Sequence, residues 1–248
     1  MAFSQNMNRR EFIAATAAAA GATRLPIAVV TEPPHGSAQK GRVVVFQGDS
    51  ITDAGRNRDS HNANAAGALG NGYPLLVASA VLAARPAEGL QFYNRGVSGN
   101  TVPDLQERWV TDTIELKPDV LSILIGVNDI WHKLDGRYNG TVQDYERQYA
   151  ALLDQTRRAL PQAKVIVLEP FVLRTGAVDA RWFPEFDERR AAAARVAKAA
   201  KATFVPLQKV FDQHVHAAPP AYWAADGVHP TPAGHAVIAE QWRHAAGL

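Results

Sequence analysis

No cysteine occurs among the 248 residues, so thiol nucleophiles, disulfide staples and cysteine-based zinc centres are excluded. A P-loop, an H-E-x-x-H pair and a dinucleotide-binding G-x-G-x-x-G are also missing, which removes the usual signs of nucleotide and zinc-protease chemistry. No G-x-S-x-G elbow is present, which argues against the α/β-hydrolase way of presenting a serine. Neither sign of charge dominates. The net charge is +2 and the basic residues are dispersed, so no patch for nucleic acid is expected. No apolar run reaches the roughly 20 residues that a membrane span needs, so stable membrane insertion is not expected.

What remains is an ordinary globular composition, 47% apolar and 20% charged, on a length that fits one domain and a leader. The leader is legible at the start. Asn8-Arg9-Arg10-Glu11-Phe12-Ile13 sets an arginine pair before an alanine-rich run, and Ala20-Gly21-Ala22 offers a small-x-small cleavage site. Residues 1–22 are therefore read as a twin-arginine export signal, which implies a periplasmic or extracellular protein. Residues 23–41 carry Pro26, Pro33, Pro34, Gly36, Ser37 and Gly41 and read as a flexible linker. The domain is expected over 42–248.

Within it, short β-branched runs alternate with longer helical stretches. Strands are predicted over 42–47, 91–94, 120–125, 164–168 and 203–205. Helices are predicted over 73–84, 102–115, 142–160, 185–202 and 232–246, with Thr141 and Thr231 as N-caps and Pro232 in the first turn. Nearly all-apolar strands separated by helices imply a five-stranded parallel sheet covered on both faces. The expected architecture is α/β, a three-layer doubly wound fold of the flavodoxin type, with chemistry at the carboxyl ends of the strands.

The polar residues sit there. Gly48-Asp49-Ser50-Ile51-Thr52-Asp53 follows the first strand directly. A serine hydroxyl needs a base, and Asp226-Gly227-Val228-His229 offers an imidazole with a carboxylate three residues away to orient it. Gly99, in the loop after the second strand, and Asn128, after the third, can supply N–H donors to a developing oxyanion together with the Ser50 amide. Each block also has a plainer reading. Ser50 can be a helix N-cap, Asp49 and Asp53 fix turns, and Gly99 can simply serve a positive φ.

Taken together and in order, the four blocks resemble those of the SGNH, or GDSL-like, hydrolases. That resemblance implies Ser50 as nucleophile, Asp226 and His229 as its acid–base pair, and an oxyanion hole from the Ser50 and Gly99 backbones and the Asn128 amide. Further stretches, Ala68-Leu69-Gly70-Asn71-Gly72-Tyr73, Gly96–Val102, Asp104-Leu105, Arg108-Trp109, Lys117-Pro118-Asp119 and Asn128-Asp129-Ile130-Trp131, are similar to the bacterial acetylxylan esterase branch. The likeness runs from about Val43 to Ile238. It implies a serine esterase that removes acetyl groups from plant polysaccharides or oligosaccharides, with no cofactor and no metal. That branch often carries an aromatic just before the catalytic Asp, where this chain has Ala225; the nearby Trp223 is a candidate substitute.

Trp131 and Trp223 can stack on a sugar or form a hydrophobic wall, while Trp109, Trp182 and Trp242 read as packing. His132 is placed to touch substrate, His235 reads as packing or surface, and His214-Val215-His216 has a metal-like spacing that nothing nearby completes. Two rival functions stand: a broad carboxylesterase, lipase-like enzyme or thioesterase, and a non-catalytic carbohydrate-binding protein on an esterase scaffold.

Overall fold

A computed structural model describes residues 41–248. The expected leader over 1–22 and residues 23–40 of the expected linker lie outside the described residues. The domain opens with β1 (Val43–Gly48), buried along its whole length, and the short helix α1 (Ser50–Asp53) follows at once. Then come α2 (Ala66–Leu69), α3 (Tyr73–Ala84), β2 (Gln91–Asn94), α4 (Val102–Trp109), β3 (Val120–Leu124), α5 (Val127–Leu134) and α6 (Val142–Ala159). The chain closes with β4 (Lys164–Leu168), α7 (Glu185–Ala199), β5 (Thr203–Val205), α8 (Leu207–His214), α9 (Pro220–Trp223) and α10 (Pro232–Ala246).

All strand pairs are parallel, in the order β2-β1-β3-β4-β5. This is the expected doubly wound sheet: β1 lies between β2 and β3, at the point where the strand order reverses, and β3 is the central strand. Alternate side chains separate into two cores, as the two-residue period of a strand requires. Val44 and Phe46 join Trp242 of α10 and Tyr73 and Val77 of α3, whereas Val43 and Val45 join Trp109 of α4 and Tyr145, Tyr149 and Leu152 of α6. Trp109, Trp182 and Trp242 are fully buried, as their packing assignment anticipates.

The predicted caps are present. The Thr141 side chain accepts from Asp144 N while the Asp144 carboxylate takes the Thr141 N–H, a reciprocal capping box. Thr231 accepts from Gly234 N at the start of α10, with Pro232 in its first turn. Two helices differ from expectation. The 102–115 helix is α only to Trp109 and continues as a π-helical turn over Val110–Ile114, and the 185–202 helix stops at Ala199, with Lys201 in the left-handed region. Helices α1, α2, α5, α8 and α9 are not among those predicted from sequence.

Candidate active site

Ser50 stands in the first turn of α1, beyond the carboxyl end of β1. Its presentation depends on Gly48, whose φ is +155° and whose Cα has no room for a side chain: a Cβ there would lie 2.3 Å from the Leu124 carbonyl oxygen. Strand β1 therefore runs against β3 almost up to Ser50. The N-cap of α1 is Asp49, whose carboxylate accepts from Ile51 N at 3.0 Å, so capping does not occupy the Ser50 hydroxyl.

That hydroxyl meets His229. Ser50 Oγ lies 2.9 Å from His229 Nε2 across 179 residues of sequence, and His229 Nδ1 lies 2.6 Å from Asp226 Oδ2. The other Asp226 oxygen accepts from the backbone N–H groups of His229 (2.7 Å) and Val228 (2.9 Å), so one carboxylate folds the loop and orients the ring. Burial pushes the Asp226 carboxyl upward, but the hydrogen bonds from the His229 ring and the two amides outweigh it and hold the group below the usual carboxylate range. An ionised Asp226 fixes the tautomer with the proton on Nδ1 and leaves Nε2 free to accept.

The other predicted residues arrive by the same topology. Val97 N donates to the Gly48 carbonyl at 3.0 Å, which lays the β2–α4 loop alongside the Ser50 segment. Gly99 in that loop has φ +85°, a conformation that favours glycine. Asn128, in the first turn of α5 and buried, donates one amide hydrogen to the Asn100 carbonyl at 3.1 Å, which ties its amide to the loop that carries Gly99. Among the described residues, neither the Ser50 nor the Gly99 N–H donates to a protein acceptor.

Trp131 is half-buried, with its ring centroid 5.9 Å from that of His229 and 5.6 Å from that of Trp182. Trp223 faces elsewhere: its ring lies 5.0 Å from His214 and 4.9 Å from Tyr222, and its Nε1 donates to the Ala218 carbonyl. His214 therefore packs on an aromatic. Among the described residues, no group of three or more His, Asp or Glu side chains is arranged to hold a metal ion. His132 borders the Gly99 peptide, its Cε1 lying 4.0 Å from where a Gly99 Cβ would stand.

Beside the triad opens a cleft of about 350 Å³ lined by Ser50, Ala54, Asn71, His229, Pro230 and His235. Packing alone does not describe His235, which walls this cleft. Its Nδ1 accepts from Tyr73 N at 3.2 Å, and burial, with the His229 ring adding to it, lowers its pKa to about 4, so the ring is neutral. A groove of about 310 Å³ lined by Arg174, Phe183, Arg190 and Gln208 includes no residue of the triad.

Two supporting carboxylates differ sharply. Asp53 accepts from Ser98 N (2.9 Å) and Ser98 Oγ (2.7 Å) and pairs with Arg58; burial pushes it up, but these partners prevail and hold it low. Asp129 is fully buried, accepts from Val102 N, and is raised to about 7 by that burial. The turn-fixing roles expected of Asp49 and Asp53 are therefore seen, whereas the reach of Asp53 to the Gly99 loop was not anticipated. Nor were the roles of Asn100 and Arg108, which hold the same loop; both lie in stretches that carry the resemblance, but nothing local assigns either a role.

Comparison with known proteins identifies the family. Residues 46–237 match the profile of the GDSL-like lipase/acylhydrolase family. An acetylxylan esterase from Geobacillus stearothermophilus is 34% identical over 213 residues, which cover 84% of this chain and 95% of that enzyme. Its crystal structure superposes with a TM-score of 0.76 at 31% identity, over 85% of this chain and 96% of that one. Solved variants of the same enzyme with a serine or a histidine replaced by alanine are described as catalytic mutants. A GDSL-like lipase-type protein from Parabacteroides merdae superposes with a TM-score of 0.81 at 46% identity, over 84% of this chain and 97% of that one. The chain is thus an esterase of the GDSL-like lipase/acylhydrolase family.

Proposed function

We propose that the enzyme is an exported deacetylase of plant polysaccharides or their oligosaccharides, working by a Ser50–His229–Asp226 mechanism. The carrying observation is the unbroken relay from Ser50 Oγ to His229 Nε2 at 2.9 Å and from His229 Nδ1 to Asp226 at 2.6 Å. His229 takes the hydroxyl proton as Ser50 attacks the ester carbonyl. The oxyanion that forms is stabilised by the Ser50 and Gly99 N–H groups and the Asn128 amide, each such donor being worth roughly 3 kcal/mol of barrier. His229 then protonates the departing sugar oxygen, leaving an acetyl-enzyme. Water repeats the sequence, and acetate leaves with Ser50 restored.

The acetyl preference rests on the likeness to acetylxylan esterase and on the modest size of the cleft beside Ser50. Trp131, beside the imidazole, is the proposed sugar contact. Trp223 is a weaker one, since its ring packs on His214 and Tyr222. Ala225, standing where an aromatic is usual in that branch, favours a second reading, a broad carboxylesterase with a looser grip on sugar.

A panel varying acyl length and alcohol separates the two. The first reading expects acetate release from acetylated xylo-oligosaccharides to exceed hydrolysis of esters with acyl chains of eight carbons or more, and the reverse order would overturn it. Ser50→Ala is expected to lower kcat by roughly 10⁴-fold or more while leaving the fold intact. Export to the periplasm or beyond rests on the Arg9-Arg10 leader. Replacing both arginines by lysine is expected to retain the full chain inside the cell, as read by fractionation.

A further inference from the structure

We propose that Arg108 is a positioning residue that sets the oxyanion hole, by fastening the Gly99 loop and the carboxyl end of β1 to a single guanidinium. The proposal rests on the esterase reading, since it concerns groups that matter only if an oxyanion forms at Ser50.

Arg108 lies in the last turn of α4, with only 17% of its side chain exposed. It makes five polar contacts around the site, three of them shared between the two hydrogens of Nη1. Nε donates to Asn100 Oδ1 at 2.7 Å, Nη1 to the Arg95 carbonyl at 2.7 Å and to Gln47 Oε1 at 2.9 Å, and Nη2 to the Gly48 carbonyl at 3.2 Å. The fifth is an ion pair with Asp112, 3.0 Å from Nη1. Four of the five acceptors belong to the two segments that flank the nucleophile: Gln47 and Gly48 lead into Ser50, and Arg95 and Asn100 bracket Gly99.

The consequence reaches the third donor as well. Asn100 is held through its side chain by Arg108 and through its carbonyl by the Asn128 amide, giving a continuous chain of bonds from Arg108 to Asn100 to Asn128. One guanidinium is thus linked to all three segments that carry oxyanion donors. The π-helical turn over Val110–Ile114 completes the arrangement, because it directs the Asp112 carboxylate back onto Arg108 and the Asp112 carbonyl onto the Gln47 amide. A planar fork with five N–H donors can span such a set; a lysine ammonium, with three donors at one point, cannot.

Oxyanion donors act on the transition state and hardly on bound substrate, so disturbing their alignment lowers kcat and spares KM. The test compares the parent enzyme, Arg108→Lys, Asn100→Ala and the double variant on a small acetyl ester. Rates are expressed per active site after titration to completion with a serine-directed phosphonate, which removes any contribution from misfolded protein. Each single variant is expected to lose roughly 10²-fold in kcat, the cost of a misplacement of about 1 Å, with KM within about threefold of the parent. The double variant is expected to fall little below the weaker single one, because both break the same chain of bonds.

Parental kcat per titrated site in Arg108→Lys, a deficit confined to KM, or losses that simply multiply in the double variant would each overturn the proposal. Should Arg108→Lys not fold, Asn100→Ala decides alone: it leaves the other four bonds of Arg108 in place, and undiminished kcat there is equally fatal. Failure of the esterase reading looks different. In that case the parent itself shows no Ser50-dependent turnover, and both readings fall.

Discussion

At the scale of single residues, the site is a division of labour within carboxylates. Asp226 uses one oxygen to fold its own loop and the other to hold the imidazole, so its two functions cannot be separated by moving the side chain. Asp226→Asn keeps a backbone acceptor but offers no negative charge to the ring and allows the opposite tautomer. We expect kcat to fall by roughly 10⁴-fold, with little change in the unfolding midpoint, as measured by steady-state kinetics and urea titration. Acidification acts at the same place. A protonated imidazole has no lone pair at Nε2 to receive the Ser50 proton, so kcat/KM is expected to decline on the acid side, and a flat profile down to pH 4 would contradict the assignment. The residues gathered around Ser50 were legible in the sequence because each couples a polar side chain to a local backbone requirement. Arg108, Asn100 and the far reach of Asp53 were not, because their partners are distant in sequence and no local pattern records a hydrogen bond between loops.

At the scale of elements, the strands were readable because burial on both faces leaves a run of β-branched and aliphatic residues, as in Val43–Phe46 and Val165–Leu168. Long helices announced themselves through caps and spacing. Helix α5 did not, because only two residues separate it from β3 and its first turn, Val127-Asn128-Asp129-Ile130, is wholly buried, the polar Asn128 and Asp129 included. The turn from α to π after Trp109 gives no periodic warning either, since one widened turn barely alters an eight-residue pattern. Helix α10 illustrates how an element's end serves the site: Thr231 caps it, and the same hydroxyl donates to the Tyr222 carbonyl, anchoring the strip that leads to Asp226. Thr231→Ala is expected to cost about 1 kcal/mol of stability, as a lowered urea midpoint at unchanged m-value would show.

At the scale of the whole molecule, buried ionisable groups pull the pH dependence of stability in opposite directions. His235 is lowered from 6.5 to about 4, so the folded state binds fewer protons than the unfolded chain between those values. Its contribution is fully present above 6.5 and is lost as pH falls toward 4. Asp49 and Asp129 behave oppositely. Burial raises both from 3.8 to about 7, so the folded state keeps protons that the unfolded chain releases, and stability declines as pH climbs through that window. His235→Gln retains an acceptor for Tyr73 N while removing the titration. The variant is expected to lose less stability than the parent between pH 6.5 and 4, as measured by urea unfolding at both values; an unchanged difference would count against a neutral buried ring.

The proposed nucleophile follows the first strand and its proposed base stands in the loop before the last helix, 179 residues later. Activity is therefore a property of the finished domain. While a ribosome still holds the C-terminal segment, the serine has no imidazole beside it, and the proposed mechanism expects no turnover. A stop between Val205 and His229 leaves all five strands encoded yet removes the proposed base, so the product is expected to cleave no ester.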